Sequence, residues 1–159
     1  TASHDISASG NFYGTMKTAA NVATIDYGTG VQSSANDFSG EVIYDGNDTT
    51  DPGKIHYSNN GTWAVTNATA AASATGLIAV ALGTNSTTHG MLLRGTVKLD
   101  HDPGGDIGVP LYLDENNNGQ AVNAAPTSDE EIVRIIGYNL GTSGEIYFNP
   151  DNTWVEVNA

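Results

Sequence analysis

Short apolar runs, cut by turn-forming residues, set the pattern of this chain. Met91 to Leu99 alternates, with Met91, Leu93, Val97 and Leu99 on one face and Leu92, Arg94, Thr96 and Lys98 on the other. A period of two is the signature of a strand with one covered face. Asn21 to Tyr27 alternates in the same way, Val22, Thr24 and Asp26 against Ala23, Ile25 and Tyr27. Leu77 to Leu82 and Ile132 to Tyr138 are apolar at both parities, which predicts strands covered on both sides. Lys54 to Ser58 and Thr62 to Val65 flank Asn59-Asn60-Gly61, and Leu111 to Leu113 and Gln120 to Val122 flank Asn118-Gly119. Asn-Gly supplies the positive φ of a tight hairpin, so both predict antiparallel pairs. Glu41 to Tyr44, Glu145 to Phe148 and Thr153 to Val157 complete the strands. Asn67 to Thr75 has room for one helical turn, and Thr84 to Gly90 reads as a polar turn. About ten to twelve short strands without a long helix predict an all-β domain, a single compact sandwich or partly open barrel.

Composition narrows the class of partner. Charged residues are 14% of the 159-residue chain, and the net charge is -13. The cations are Lys17, Lys54, Arg94, Lys98 and Arg134, spread along the sequence. Nucleic-acid binding needs clustered cations against phosphate, so no nucleic-acid partner is expected. An anionic membrane surface would repel the chain, and no membrane partner is expected either. Without Cys, stability is independent of redox state.

The candidate sites are few. Asp114-Glu115-Asn116-Asn117-Asn118-Gly119 starts like a calcium loop, but Ala125 stands where the closing Glu belongs, so the stretch reads as a hairpin tip. His101 to Asp106 reads as an exposed acidic loop. His4, His56, His89 and His101 lack metal-ligand spacing. No nucleophile elbow is present, so the expectation is a protein without catalytic residues, cofactor or metal. Arg94 and Arg134 both lie within apolar strands, where a buried guanidinium needs partners. They are expected to form structural ion pairs with carboxylates, within the fold or across a subunit boundary. Tyr57, Trp63 and Tyr112 are aromatic candidates for stacking on sugars, with core packing as the simpler role.

Four motifs occur in a fixed order: Gly90-Met91-Leu92-Leu93-Arg94-Gly95, Gly108-Val109-Pro110-Leu111-Tyr112-Leu113, Val133-Arg134-Ile135-Ile136-Gly137-Tyr138, and Phe148-Asn149-Pro150-Asp151-Asn152-Thr153-Trp154-Val155-Glu156-Val157. Together they resemble a small β-domain widespread in virion proteins of tailed bacteriophages, notably aquatic ones. The resemblance runs from about Ser39 to Val157. It implies a virion-surface role, as a capsid decoration (cement) protein or as a head or tail fibre module, commonly trimeric. The implied partners are the major capsid protein and further copies of the chain, and the family brings no catalytic residues. A subunit of an extracellular filament has a similar composition and stays open beside these. Residues 1–38 are expected to be a docking arm, anchored on the capsid or a neighbouring subunit by Phe12, Tyr13, Ile25 and Tyr27.

Overall fold

The computed structural model describes residues 38–158. Residues 1–37, with the candidate anchors Phe12, Tyr13, Ile25 and Tyr27, lie outside the described residues. Within them the chain is all-β. One curled, open sheet of nine short strands forms a half-barrel, with a two-stranded ribbon beside it.

The long strand β5 (Met91–Lys98) organises the sheet. One of its edges is lined by β1 (Phe38–Ile43) over almost its whole length. The other edge is shared by two strands in succession. At Met91 and Leu92 it pairs with β4 (Ile78–Ala81). From Gly95 to Lys98 it pairs with β10 (Glu145–Phe148). The sheet therefore forks at β5. One wing runs from β4 through β2 (Ile55–Asn59) to β3 (Thr62–Val65). The other runs from β10 through β9 (Ile135–Asn139) and β6 (Pro110–Leu113) to β7 (Ala121–Val122). All these pairs are antiparallel.

The wings curl around a core of Ile55, Ile78, Val80, Leu82, Leu92, Val97, Leu99, Leu111, Leu113, Ile132, Ile136, Ile146 and Phe148, with buried alanines between them. Full burial of each large side chain contributes about 1.5–3 kcal/mol. A smaller cluster of Trp63, Ala79, Ala81 and Met91 covers the opposite face of β4. This explains the uninterrupted apolar run at Leu77 to Leu82: Ile78 and Val80 face one cluster, Ala79 and Ala81 the other.

The alternation predicted along β5 is broken. Glu41 pairs with Arg94 and Val42 with Leu92, so Leu93 is an extra residue on β5. Such a bulge reverses the parity of the side chains beyond it. Leu92, not Leu93, therefore shares the main core with Val97. The Asn60-Gly61 hairpin is as expected, with φ of 49° and 88° at the two central residues.

Ile132 to Tyr138 is not one strand. Its first residues form β8 (Ile132–Val133), paired with β11 (Val155–Glu156) in the two-stranded ribbon. Arg134 marks the break, and β9 then joins the main sheet. Among the described residues two single-turn helices occur, α1 (Ala71–Ala74) and α2 (Ser86–His89). The second falls where a polar turn was expected. The Asn85 side chain accepts the backbone N–H groups of Thr87 and Thr88 and so caps it.

His56 is buried in β2. Its Nδ1 lies 3.2 Å from the Lys54 carbonyl oxygen, and its Nε2 is 3.5 Å from the Asp51 N–H nitrogen. A neutral ring meets both partners, with Nδ1–H donating and Nε2 accepting. Burial lowers the His56 pKa, against the opposing effects of the Lys54 hydrogen bond and the Asp51 charge. The folded pKa thus lies below the unfolded value of about 6.5, so the fold loses stability as pH drops below that value toward the folded pKa. Thermal unfolding from about pH 7.5 to about pH 5 is expected to show a falling Tm that flattens in His56→Gln. A variant with the full wild-type slope would assign the acid sensitivity elsewhere.

Candidate functional site

The two arginines separate. Arg134 is buried, and it meets carbonyls rather than a carboxylate. Its Nε donates to the Asp151 carbonyl oxygen at 2.7 Å, and its Nη1 to those of Ala74 and Gly76 at 2.9 and 2.8 Å. Burial lowers its pKa, partly offset by the nearby Asp151 charge. Within the chain these contacts form a clamp that ties the end of α1 and the residues after β10 to the gap between β8 and β9. An arginine suits this position because several donors diverge from one rigid plane. Arg134 is therefore a structural residue.

Arg94 is exposed rather than buried in its strand. Arg94 lies with Thr96 and Lys98 on the exposed face of β5, opposite the buried Val97 and Leu99. Its Nε lies 3.3 Å from the Tyr147 hydroxyl. That contact and, more weakly, the Glu41 charge raise its pKa above the ordinary arginine value. Glu41 is its register partner on β1.

Arg94 sits at the rim of a groove of ≈ 410 Å³ lined by Ser39, Gly40, Glu41, Gly95, Thr96 and Tyr147. The floor is main chain. Gly40 and Gly95 face each other across β1 and β5 with φ of 156° and 142°. A Cβ on Gly40 would overlap the Arg94 carbonyl oxygen, and one on Gly95 that of Ser39. Only glycine lets the two backbones meet here. Beside the groove, Ser39, Thr96, Tyr147, Tyr138 and Pro110 follow one another in register across five strands. Tyr147 and Tyr138 are directly opposed, and Tyr138 is 40% exposed. Side chains so opposed have Cβ atoms about 4.5–5.5 Å apart, so the two tyrosines are neighbours on one face of the sheet.

The other candidates resolve differently. Trp63 is buried against Met91 and the alanines of β4, while Tyr57 and Tyr112 are half-buried in their strands. In the loop after β6, Asp114 accepts the Asn116 N–H and the Asn117 side-chain amide. Asp102 accepts the Gly104 N–H, and His101 Nδ1 lies 2.7 Å from Asp100. These acidic side chains serve their own turns. No cluster of three or more His, Asp or Glu suited to a metal ion occurs among the described residues.

Sequence reasoning missed Asn139 and the tyrosine pair. Asn139 is buried, and its side-chain amide donates to the Gly104 and Gly105 carbonyls at 3.3 and 2.9 Å, fastening the Asp100 to Gly108 loop to β9. Tyr138 and Tyr147 lie far apart in sequence order from Arg94 and Glu41. No local signal joins them until register is known.

Comparison of the chain with family models, curated proteins and solved structures finds no match.

Proposed function

We propose that this chain is a non-enzymatic surface protein of a tailed-phage virion, a capsid decoration protein. In this reading it forms a homotrimer, seats on the major capsid protein from outside and stabilises the shell by bridging capsomers. The supporting observation is the open sheet. Among the described residues, β1, β3 and β7 each have an edge without a strand partner. Open edges are templates for further pairing and are covered in stable assemblies. A subunit neighbour or a shell protein would supply that cover. β1 begins at Phe38, directly after residues 1–37 in the sequence.

The test is made on particles. Stripping the protein is expected to lower the heat and osmotic resistance of the capsid, and adding it back to restore both. Deletion of residues 1–30 is expected to abolish occupancy of the shell. Stripped capsids as resistant as intact ones would overturn the cement role. Copy number separates it from a fibre module binding host glycans, the reading that the tyrosine pair favours. A cement protein follows the symmetry of the whole shell, while a fibre is far scarcer. Headless rods as the native particle would instead indicate a filament subunit.

A further inference from the structure

The groove at Gly40 and Gly95 combines side-chain chemistry that strand pairing at an edge does not call for. Four features meet there. Tyr147 lines the groove, and Tyr138, opposite it in register, offers a second partly exposed ring beside it. The ring C–H face of a sugar packs on such a surface while its hydroxyls stay free for polar contacts. Arg94 supplies donors and Glu41 acceptors from adjacent strands, and Ser39 and Thr96 add hydroxyls that do both. The glycine floor lets a ligand approach the main chain, and the groove of ≈ 410 Å³ lies within the roughly 300–1,000 Å³ of small-ligand sites. The Tyr147 hydroxyl also holds Arg94 in place before any ligand arrives, which limits the ordering lost on binding.

We propose that this face binds a neutral glycan, with a sugar ring on Tyr147 and Tyr138 and its hydroxyls held by Arg94 and Glu41. Charge selects the class. Arg94 and Glu41 cancel locally, while the whole chain carries -13, so an acidic polysaccharide is repelled at long range. The proposal goes beyond shell stabilisation and is independent of it. Loss of glycan binding with capsid occupancy intact would leave the decoration role standing, and the reverse result would leave the groove standing.

The experiment is affinity electrophoresis of the purified full chain through gels containing dextran, laminarin, mannan or xyloglucan, with alginate as the acidic comparison. Retardation by at least one neutral polysaccharide and none by alginate is expected. Arg94→Ala and Tyr147→Ala are each expected to weaken that binding by about tenfold or more, the scale of one good contact. Trp154→Ala, an exposed aromatic change away from the groove, is expected to keep it. Arg94 is exposed, so its variant should fold normally, which circular dichroism checks. No retardation in any of the four neutral gels, retardation by alginate alone, or full retention in the Arg94→Ala variant would each overturn the proposal. So would a change in oligomeric mass in Tyr147→Ala with glycan binding unaltered, because the face would then be a contact between copies.

Discussion

Replacing Arg134 with methionine is expected to destabilise the fold by about 3–5 kcal/mol. Methionine fills much of the same space, so packing loss is limited. What it removes is the set of donors to the Asp151, Ala74 and Gly76 carbonyls. A hydrogen bond to a charged group contributes about 1.5–3 kcal/mol, and a buried acceptor left without one costs about 1–3 kcal/mol. The effects overlap, so the sum is less than three full terms. For a chain of this size such a loss lowers Tm by roughly 10 °C or more. Arg134→Lys should fall between the two, because one ammonium does not match three diverging acceptors with the geometry of a guanidinium. Urea unfolding of the three proteins measures the difference. A loss under about 1 kcal/mol would mean that water replaces the guanidinium at those carbonyls.

Gly95→Val is expected to cost at least about 3 kcal/mol and to act first on β1. Two penalties combine. The φ of 142° is one that a β-branched residue avoids, and the new Cβ collides with the Ser39 carbonyl and the Gly40 backbone. A flexible side chain could move aside, but main chain in a ladder cannot. The two strands must separate, so amide exchange should lose protection along Glu41 to Ile43 before the rest of the sheet. Gly76→Ala is the contrast. Its φ is not positive and a Cβ there meets open space, so a change within about 0.5 kcal/mol is expected. Unchanged exchange at β1 in Gly95→Val would show that the close approach of the two glycines is not needed to hold the edge.

The sequence was legible where local rules decide. Asn60-Gly61 fixed its hairpin because the turn geometry depends on those two residues alone. The doubly apolar run at Leu77 to Leu82 announced a strand covered on both faces, and two apolar clusters cover it. Reading failed where one residue changes the meaning of its neighbours. The bulge at Leu93 carries no mark in composition, yet it moves Leu92 into the core that Val97 and Leu99 share. A second irregularity falls opposite Leu111 and Tyr112, and brings Ile136 inside. The run at Ile132 to Tyr138 looked continuous because apolarity does not say which sheet a residue joins. Arg134 ends one pairing and β9 begins another.

By itself the sequence determined an all-β chain of short antiparallel strands, acidic and without clustered cations, because periodicity, turn chemistry and charge are local or additive properties. The tertiary structure alone decided that β5 would fork the sheet into two wings, that Arg134 would hold three carbonyls, and that Arg94, Glu41 and Tyr147 would meet around one groove with Tyr138 next to Tyr147 in register. Those outcomes depend on register between strands distant along the chain, and a single extra residue in one strand reverses which side chains face each other.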